Sequence, residues 1–374
     1  MLELQVQSFL RNRGTLDDLA SGFLIKSRRH ETHPNLISLK YDQKSPFASQ
    51  IVRECRGLVL DESDDWKIIS RGFDKFFNHG EGHAAEIDWK TARVQEKLDG
   101  SLCVVYFYRG LWNVATTGTP DGSGNVGLSI PKITFAQLFH KVYESVTGEK
   151  FDGNRDVAYA FELCTSSNKI VIRHEVERVV LLSARSMITQ EEIHPSIAVL
   201  GLHKGIEFVR EFDMSSVKSI IDSFDQISPM SQEGYVVVDA LRNRIKIKHP
   251  GYIALHHMQG GLNSVKSMVE IVRSGEIDEV LVAFPEHRER LEIVSADYSK
   301  LVGDIESDYA VNKHIENQKE FALAVRGSRC ASALFQVRSG RFGSVYEYLR
   351  DTNVNSLMLM LGYKETKQEE ISEE

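Results

Sequence analysis

Cysteine is scarce in this chain: four in 374 residues (Cys55, Cys103, Cys164 and Cys330), none in a C-x-x-C pair. That excludes a disulfide-framed fold and a cysteine zinc site, and it suits reduced thiols. No apolar run approaches the roughly 20 residues that cross a bilayer, and Met1-Leu2-Glu3-Leu4 lacks the basic start of a secretory signal. The expectation is a cytoplasmic protein with no membrane partner. Several catalytic signatures are also missing: a G-x-x-x-x-G-K-S/T phosphate loop, a G-x-S-x-G elbow, and the H-R-D and D-F-G of kinases. Gly122-Ser123-Gly124-Asn125-Val126-Gly127 spells G-x-G-x-x-G. Pro131 nevertheless interrupts the helix a dinucleotide fold requires there, and no βαβ unit surrounds it, so a flexible loop explains these glycines better. Positive charge is in deficit too, with a net charge of -8. This argues against a protein that coats nucleic acid, but not against an enzyme with a local basic cleft. Part of the acidic excess lies in the terminal run 368–374.

What is present is ordinary in bulk, with 42% hydrophobic and 26% charged residues, enough for one large or two ordinary domains. The organising stretch is Val94-Gln95-Glu96-Lys97-Leu98-Asp99-Gly100-Ser101-Leu102, a lysine two residues before Asp-Gly. The β-branched and aromatic run 103–108 follows, so Lys97 is placed in the approach to a strand. Further on, Glu162 and Glu233 each put one carboxylate into an apolar, strand-like run, where an unpaired carboxylate is costly and implies a partner. Arg244-Ile245-Lys246-Ile247-Lys248 offers one, because period-two alternation sets three cations on one face and two isoleucines on the other. Arg56 precedes a glycine at a strand start, where backbone can approach a ligand closely.

The periodicities predict helical spacing through 1–24, covering a sheet edge, and strands at 36–41, 56–60, 66–70, 111–116, 157–163, 169–172 and 178–183. Helices are expected at 134–146 and 214–224. From residue 252 onward the pattern becomes helical, at 262–272, 277–291 with a break at Pro285, 298–325 and 343–349. The fold class is therefore α+β, a mainly antiparallel domain with flanking helices (1–256) followed by an all-helical domain (257–374).

Taken together, these residues resemble the covalent nucleotidyltransferases, the superfamily of ATP-dependent ligases and capping enzymes, and most closely the phage RNA ligase 1 family that seals broken tRNA. The resemblance rests on Lys97-Leu98-Asp99-Gly100, Phe161-Glu162-Leu163, Glu233-Gly234-Tyr235-Val236 and Lys246-Ile247-Lys248 in that order, with Glu54-Cys55-Arg56-Gly57 and Lys75-Phe76-Phe77-Asn78 upstream. It covers residues 35–257 well. It implies that Lys97 attacks the α-phosphorus of ATP and carries AMP, with Mg²⁺ or Mn²⁺ present. The AMP would pass to an RNA 5′-phosphate before a 3′-hydroxyl seals the strand. Arg56, Lys75, Phe77, Asp99, Gly100, Glu162, Glu233, Lys246 and Lys248 are implied around the nucleotide, with Lys40 as a further cation. Glu162, Glu233 and Asp278 are implied at the metal. The expected partner is RNA, a tRNA with a broken anticodon loop, read by the helical domain of a monomer, where Arg326, Arg329, Arg338 and Arg341 are candidate phosphate contacts.

Thr117-Gly118 departs from the family, which commonly has a basic residue before that glycine; the lost cation either shifts work to Lys75, Arg56 or Lys132, or weakens phosphate contacts. Two alternatives stay open. A DNA ligase or GTP-using capping enzyme shares the lysine chemistry, though no β-rich, OB-like run follows Lys248. A tRNA-binding protein with a decayed pocket is the other, opposed by the joint presence of Lys97, Glu162, Glu233, Lys246 and Lys248.

Overall fold

The computed structural model describes residues 3–126, 132–168, 171–257, 264–328 and 330–363. Gly127, Pro131, Lys169 and Ile170, Arg329 and the acidic end lie outside the described residues; Val171 and Ile172, the described half of the expected 169–172 strand, form a bend whose amides bond to the Asp99 carboxylate instead of to a sheet. Two compact units divide the chain, Met1–Tyr252 and Ile253–Glu374.

Three sheets build the first unit. One is four-stranded and antiparallel, in the order Ile25–Arg29, Leu36–Tyr41, Arg56–Asp61, Lys67–Ser70. A second runs Glu192–Ile193, Arg178–Ser186, Val157–Cys164, Ser101–Tyr108, Leu111–Thr116, with Glu207–Phe208 added in parallel to Arg178–Ser186. The third runs Glu211–Phe212, Arg93–Lys97, Gly234–Val238, Arg244–Lys248, Phe77–Asn78, of which only the last pairing is parallel. The first two sheets pack face to face, Leu36 and Val59 against Val104, Tyr106, Ala158 and Ala160. Helix Phe135–Thr147 covers the other face of the second sheet with Leu138, Phe139, Val142 and Tyr143. Its start carries a reciprocal cap between Thr134 and Gln137, and Gly148 ends it at φ +75°, as the left-handed C-terminal position favours. In the third sheet Val94, Tyr235, Val237, Ile245 and Ile247 bury against Ile220 and Phe224 of helix Val217–Ser223 and the turn after it.

The fold class is the α+β arrangement read from the sequence. The N-terminal reading needs a correction. Helices Gln5–Arg11 and Leu16–Phe23 form, but Leu24 turns left-handed at φ +55° and Ile25–Arg29 becomes the edge strand itself instead of covering one. Only Ile25 of that polar strand is buried, so it shows no alternation to read.

Among its described residues the second unit is helical: Val265–Ser274, Ile277–Ala283, Arg288–Asn312, Gln318–Ala324, Ala331–Arg338, Val345–Asp351 and Val354–Leu361. Met268, Val272, Leu291, Tyr298, Ile305 and Leu334 lie at its core. The break at Pro285 is present as a short 3-10 turn. The expected 298–325 helix is in fact two, because Asn317 caps a new start by accepting from the amides of Lys319 and Glu320. Ala331–Arg338 and Val354–Leu361 were not anticipated. No helix among the described residues is long and apolar enough to cross a membrane.

Helix Gln5–Arg11 has leucine, not a polar residue, at its N-cap. Its first amides find their acceptor 48 and 49 residues away, in the buried Glu54 carboxylate, which accepts from Val6 N at 2.9 Å and Gln5 N at 3.2 Å. Unsatisfied buried donors cost about 1–3 kcal/mol. Glu54→Ala is therefore expected to lower the unfolding free energy by about that amount, measured by urea denaturation; an unchanged midpoint would mean that solvent satisfies these amides equally well.

Candidate active site

Lys97 is the last residue of strand Arg93–Lys97, not a residue in the approach to one. Val94 is the only apolar residue in that strand, so its own propensity is weak, but the strand sits between Glu211–Phe212 and Gly234–Val238, which hold it in place. Ser101 already belongs to the second sheet, so Leu98, Asp99 and Gly100 carry the chain between sheets.

This crossing is tightly held. Leu98 buries against Cys164, Val180 and Val209. The Asp99 carboxylate, 2% exposed, accepts from Val171 N at 2.9 Å, Ile172 N at 2.6 Å and the Tyr252 hydroxyl at 2.9 Å. A Cβ on Gly100 would stand 2.5 Å from the Leu163 carbonyl oxygen and 3.0 Å from Glu162 Cγ, so only glycine lets the strand bearing Glu162 close on the turn.

Glu233 lies immediately before strand Gly234–Val238, whose Gly234 pairs with both Lys97 and Lys248. That register brings the carboxylate between two lysines. Lys97 Nζ donates to Glu233 Oε2 at 2.6 Å, and Lys248 Nζ stands 3.4 Å from Oε1. Glu162 contrasts with it: it has no hydrogen bond or ion pair among the described residues, and burial pushes its carboxyl up to about 8, with Lys97 opposing the shift and Glu233 adding to it.

Lys97, Lys248 and Glu162 face a cavity of about 290 Å³, whereas Glu233 and Asp99 are not lining residues. Arg56, Lys75, Lys97, Glu162, Lys246 and Lys248 line it, together with Gly100. The Arg56 guanidinium stacks 4.8 Å from the Phe76 ring, and its buried Nη1 finds no acceptor among the described residues. Lys75 Nζ is 5.3 Å from the Tyr41 ring centre and 5.2 Å from those of Phe47 and Phe77, an aromatic box that favours a cation.

Lys40, Phe77, Thr117 and Lys132 of the first unit are not among the lining residues. Lys40 is exposed on the strand beside Arg56, and Phe77 supports Lys75 from behind while Phe76 and Phe73 line the cavity. Asp278 is exposed on helix Ile277–Ala283 of the second unit. Within the second unit, Arg338 stacks 4.2 Å from the Phe321 ring and donates to the Glu316 carbonyl. The sequence reading missed Glu96, Phe73, Phe76 and Arg244 as lining residues; Arg244 was visible as the first cation of the alternating strand. Tyr252 had no signal, since its link to Asp99 spans 153 residues.

Among the described residues no group of three or more His, Cys, Asp and Glu gathers to hold a metal. The donor set still fits Mg²⁺, which commonly takes one or two carboxylates and completes its shell with phosphates and water. Glu162, ionised only at a cost and lacking a donor, fits a cation or a hydroxyl, and Arg56 Nη1 fits a phosphate oxygen.

Lys97 and Glu162 thus meet at a cation-lined cavity to which all three sheets of the first unit contribute. The RNA ligase family matches residues 54–252, more than half of the chain, and the chain belongs to that family, in its phage RNA ligase 1 type. An RNA ligase of Rhodothermus phage RM378 is 24% identical over 344 residues, 76% of this chain and 78% of that one. A protein of Autographa californica nuclear polyhedrosis virus, named for a bifunctional polynucleotide kinase/RNA ligase, is 26% identical over 307 residues, covering 75% of this chain but only 42% of its own length. The chain thus spans less than half of that viral relative. Among solved structures, an archaeal ATP-dependent RNA ligase aligns over 90% of this chain and 91% of its own, at a TM-score of 0.44 and 12% identity.

The state of Glu162 has a pH consequence. Its folded carboxyl titrates near about 8 against an ordinary 4.5, so across that window the unfolded chain binds fewer protons and stability falls as pH rises. Glu162→Gln removes the slope. The variant, free of nucleotide, is expected to gain in Tm over wild type at pH 8.5 relative to pH 5, each 1 kcal/mol being worth roughly 2–4 °C. An equal difference at both pH values in thermal melts would show that ionising Glu162 carries no burial cost.

Proposed function

We propose that this chain is an ATP-dependent RNA ligase that joins an RNA 5′-phosphate to a 3′-hydroxyl through AMP carried on Lys97, and that it repairs tRNA broken in the anticodon loop. Membership of the RNA ligase family supports the class, and the observation that carries the chemistry is Lys97 held by Glu233, which also pairs with Lys248, at a cation-lined cavity. Adenylylation is assigned to the unit ending at Tyr252 and recognition of the tRNA to the helical unit. Four buried cysteines, none in a disulfide, support a reducing compartment, the cytoplasm of a cell or of a virus's host, with the protein acting as a monomer.

In the first step the Lys97 amine attacks the α-phosphorus of ATP, forming an N–P bond while the P–O bond to pyrophosphate breaks. The neighbouring cations Lys246 and Lys248 favour the neutral Lys97 amine, whose proton leaves to solvent before the attack, and Glu233, accepting from Nζ, keeps the amine in place. Lys248, Lys246, Arg56 and Lys75 offset the charge on the phosphates, and positioning with charge neutralisation is most of what phosphoryl transfer needs. Asp99 and Gly100 keep the turn, and therefore Lys97, in place. Glu162 receives a ribose hydroxyl. A divalent ion, Mg²⁺ or Mn²⁺, held by Glu162, Glu233 and the phosphates, would add Lewis-acid stabilisation. An oxygen of the RNA 5′-phosphate then displaces Lys97 from the AMP phosphorus, and the 3′-hydroxyl displaces AMP to form the phosphodiester.

The decisive experiment incubates the protein with Mg²⁺ and α-labelled ATP or GTP, denatures it and follows label on the chain. ATP label on wild type and none on Lys97→Ala is expected, followed by closure of a tRNA nicked in its anticodon loop. Equal label on the variant refutes the role of Lys97, and preference for GTP points to capping chemistry.

A further inference from the structure

A second cavity, of about 590 Å³, lies in the first unit and shares one wall with the first. Arg244 lines both. Around it Arg71, Arg185, Arg242 and Arg244 meet three carboxylates, Asp74, Glu191 and Glu192. Some of this is an internal network. Arg71 Nη2 reaches both oxygens of Asp74 at 2.9 Å. Glu192, 5% exposed, is shared by Arg185 at 3.3 Å and by Arg244 in a very short contact. Arg185 Nη1 and Nη2 donate to the carbonyls of Gln190 and Gly72 at 2.8 and 3.2 Å, and Arg242 Nη2 to that of Glu192 at 3.0 Å.

A network that served only as a strut would satisfy its own donors, since buried charge without full pairing is costly. This one does not. Arg185 Nε and Arg71 Nη1 are buried and have no acceptor among the described residues. Burial, then repulsion from Arg71, pushes the Arg185 guanidinium down to about 10, with Glu192 and Asp74 opposing. Gln190 Oε1, a single neutral acceptor, is buried and unpartnered among the described residues as well, but the lining sets four guanidinium groups against three carboxylates and so stays short of negative charge. A phosphate supplies that charge, and its oxygens only accept and match the guanidinium fork.

We propose that this arginine-lined cavity is a phosphate site beside the Lys97 cavity, taking a phosphodiester of the RNA strand away from the reacting end. The RNA source rests on the ligase reading; the same chemistry would fit the pyrophosphate that the first step releases, and the experiment separates the two.

Binding of a single-stranded RNA with a 5′-hydroxyl and a blocked 3′ end, which can be neither activated nor joined, is measured by fluorescence anisotropy across salt concentrations. Inorganic pyrophosphate is titrated separately by calorimetry. The full chain is compared with Arg242→Gln and with Arg185→Lys, which can keep an ion pair to Glu192 but loses the Nε donor. About five- to tenfold weaker RNA binding is expected in each, the range of one lost phosphate contact. Arg242→Gln should also make the salt slope shallower by about 0.7, while ATP label on Lys97 stays at the wild-type level. Unchanged RNA affinity with lost pyrophosphate binding assigns the same site to the leaving group. If neither ligand binds more weakly in folded variants, the cavity is an internal strut and the proposal falls. Should the variants fail to fold, the Arg185 Nε–H resonance of the wild-type chain decides: it shifts on adding RNA or pyrophosphate, or the proposal is wrong. Failure of the ligase reading shows separately, as wild type that takes no label from ATP.

Discussion

Three residues carry the chain from the end of one sheet to the start of another, and the position of Lys97 depends on their being held. Leu98 anchors the passage in apolar packing, the Asp99 carboxylate ties it to Val171, Ile172 and Tyr252, and Gly100 lets the Glu162 strand close to within a distance no Cβ allows. A buried carboxylate with three donors is well satisfied. The result is a lysine at a strand end with little backbone freedom, next to the carboxylate of a strand from the other sheet. Preorganisation of this kind is what the proposed attack by Lys97 on phosphorus would require.

The two carboxylates that act on Lys97 have opposite circumstances. Glu233 divides its oxygens between Lys97 and Lys248 and is nearly sealed from solvent, so removing either lysine leaves the other to carry the pairing. Glu162 has no such donor among the described residues, and burial is the largest influence on its state, with Lys97 opposing it and Glu233 adding to it. Had both been structural, both would be paired. One carboxylate arranges the resting lysines and the other stands ready for something not of this chain, a division common where titratable groups are perturbed for function.

Much of this was legible in the sequence, for a physical reason. The lysine, the strand carboxylates and the alternating cations are each local patterns, and local patterns survive without knowledge of the fold. The order of strands was partly legible, since Leu111–Thr116 follows its partner through Arg109-Gly110. What escaped were features made by long-range contact: strand Arg93–Lys97, recruited by its neighbours instead of its own propensity; Ile25–Arg29, a polar edge; Tyr252 on Asp99; and the substitution of Phe76 for Phe77 at the cavity wall. In Lys75-Phe76-Phe77-Asn78 the alternation states that the two rings point apart, but not which of them meets Arg56.

The strand Arg244–Lys248 shows how a chain of net charge -8 concentrates cations. Ile245 and Ile247 are buried in the core, and Arg244, Lys246 and Lys248 therefore emerge together on the other face, all three lining the Lys97 cavity. A slip of one residue would bury three charges and expose two isoleucines. Gly234 guards the register from the side. Its φ is +152°, and a Cβ there would stand 2.2 Å from the Ile247 carbonyl oxygen and 2.7 Å from Lys248 Cα, so the strands meet at a separation that any other residue would widen. Widening would draw Lys248 from Glu233, and Glu233 from Lys97. The glycine after Glu233 is thus a packing residue whose consequence is electrostatic, and the local field at Lys97 follows from backbone contact more than from the number of charges in the chain.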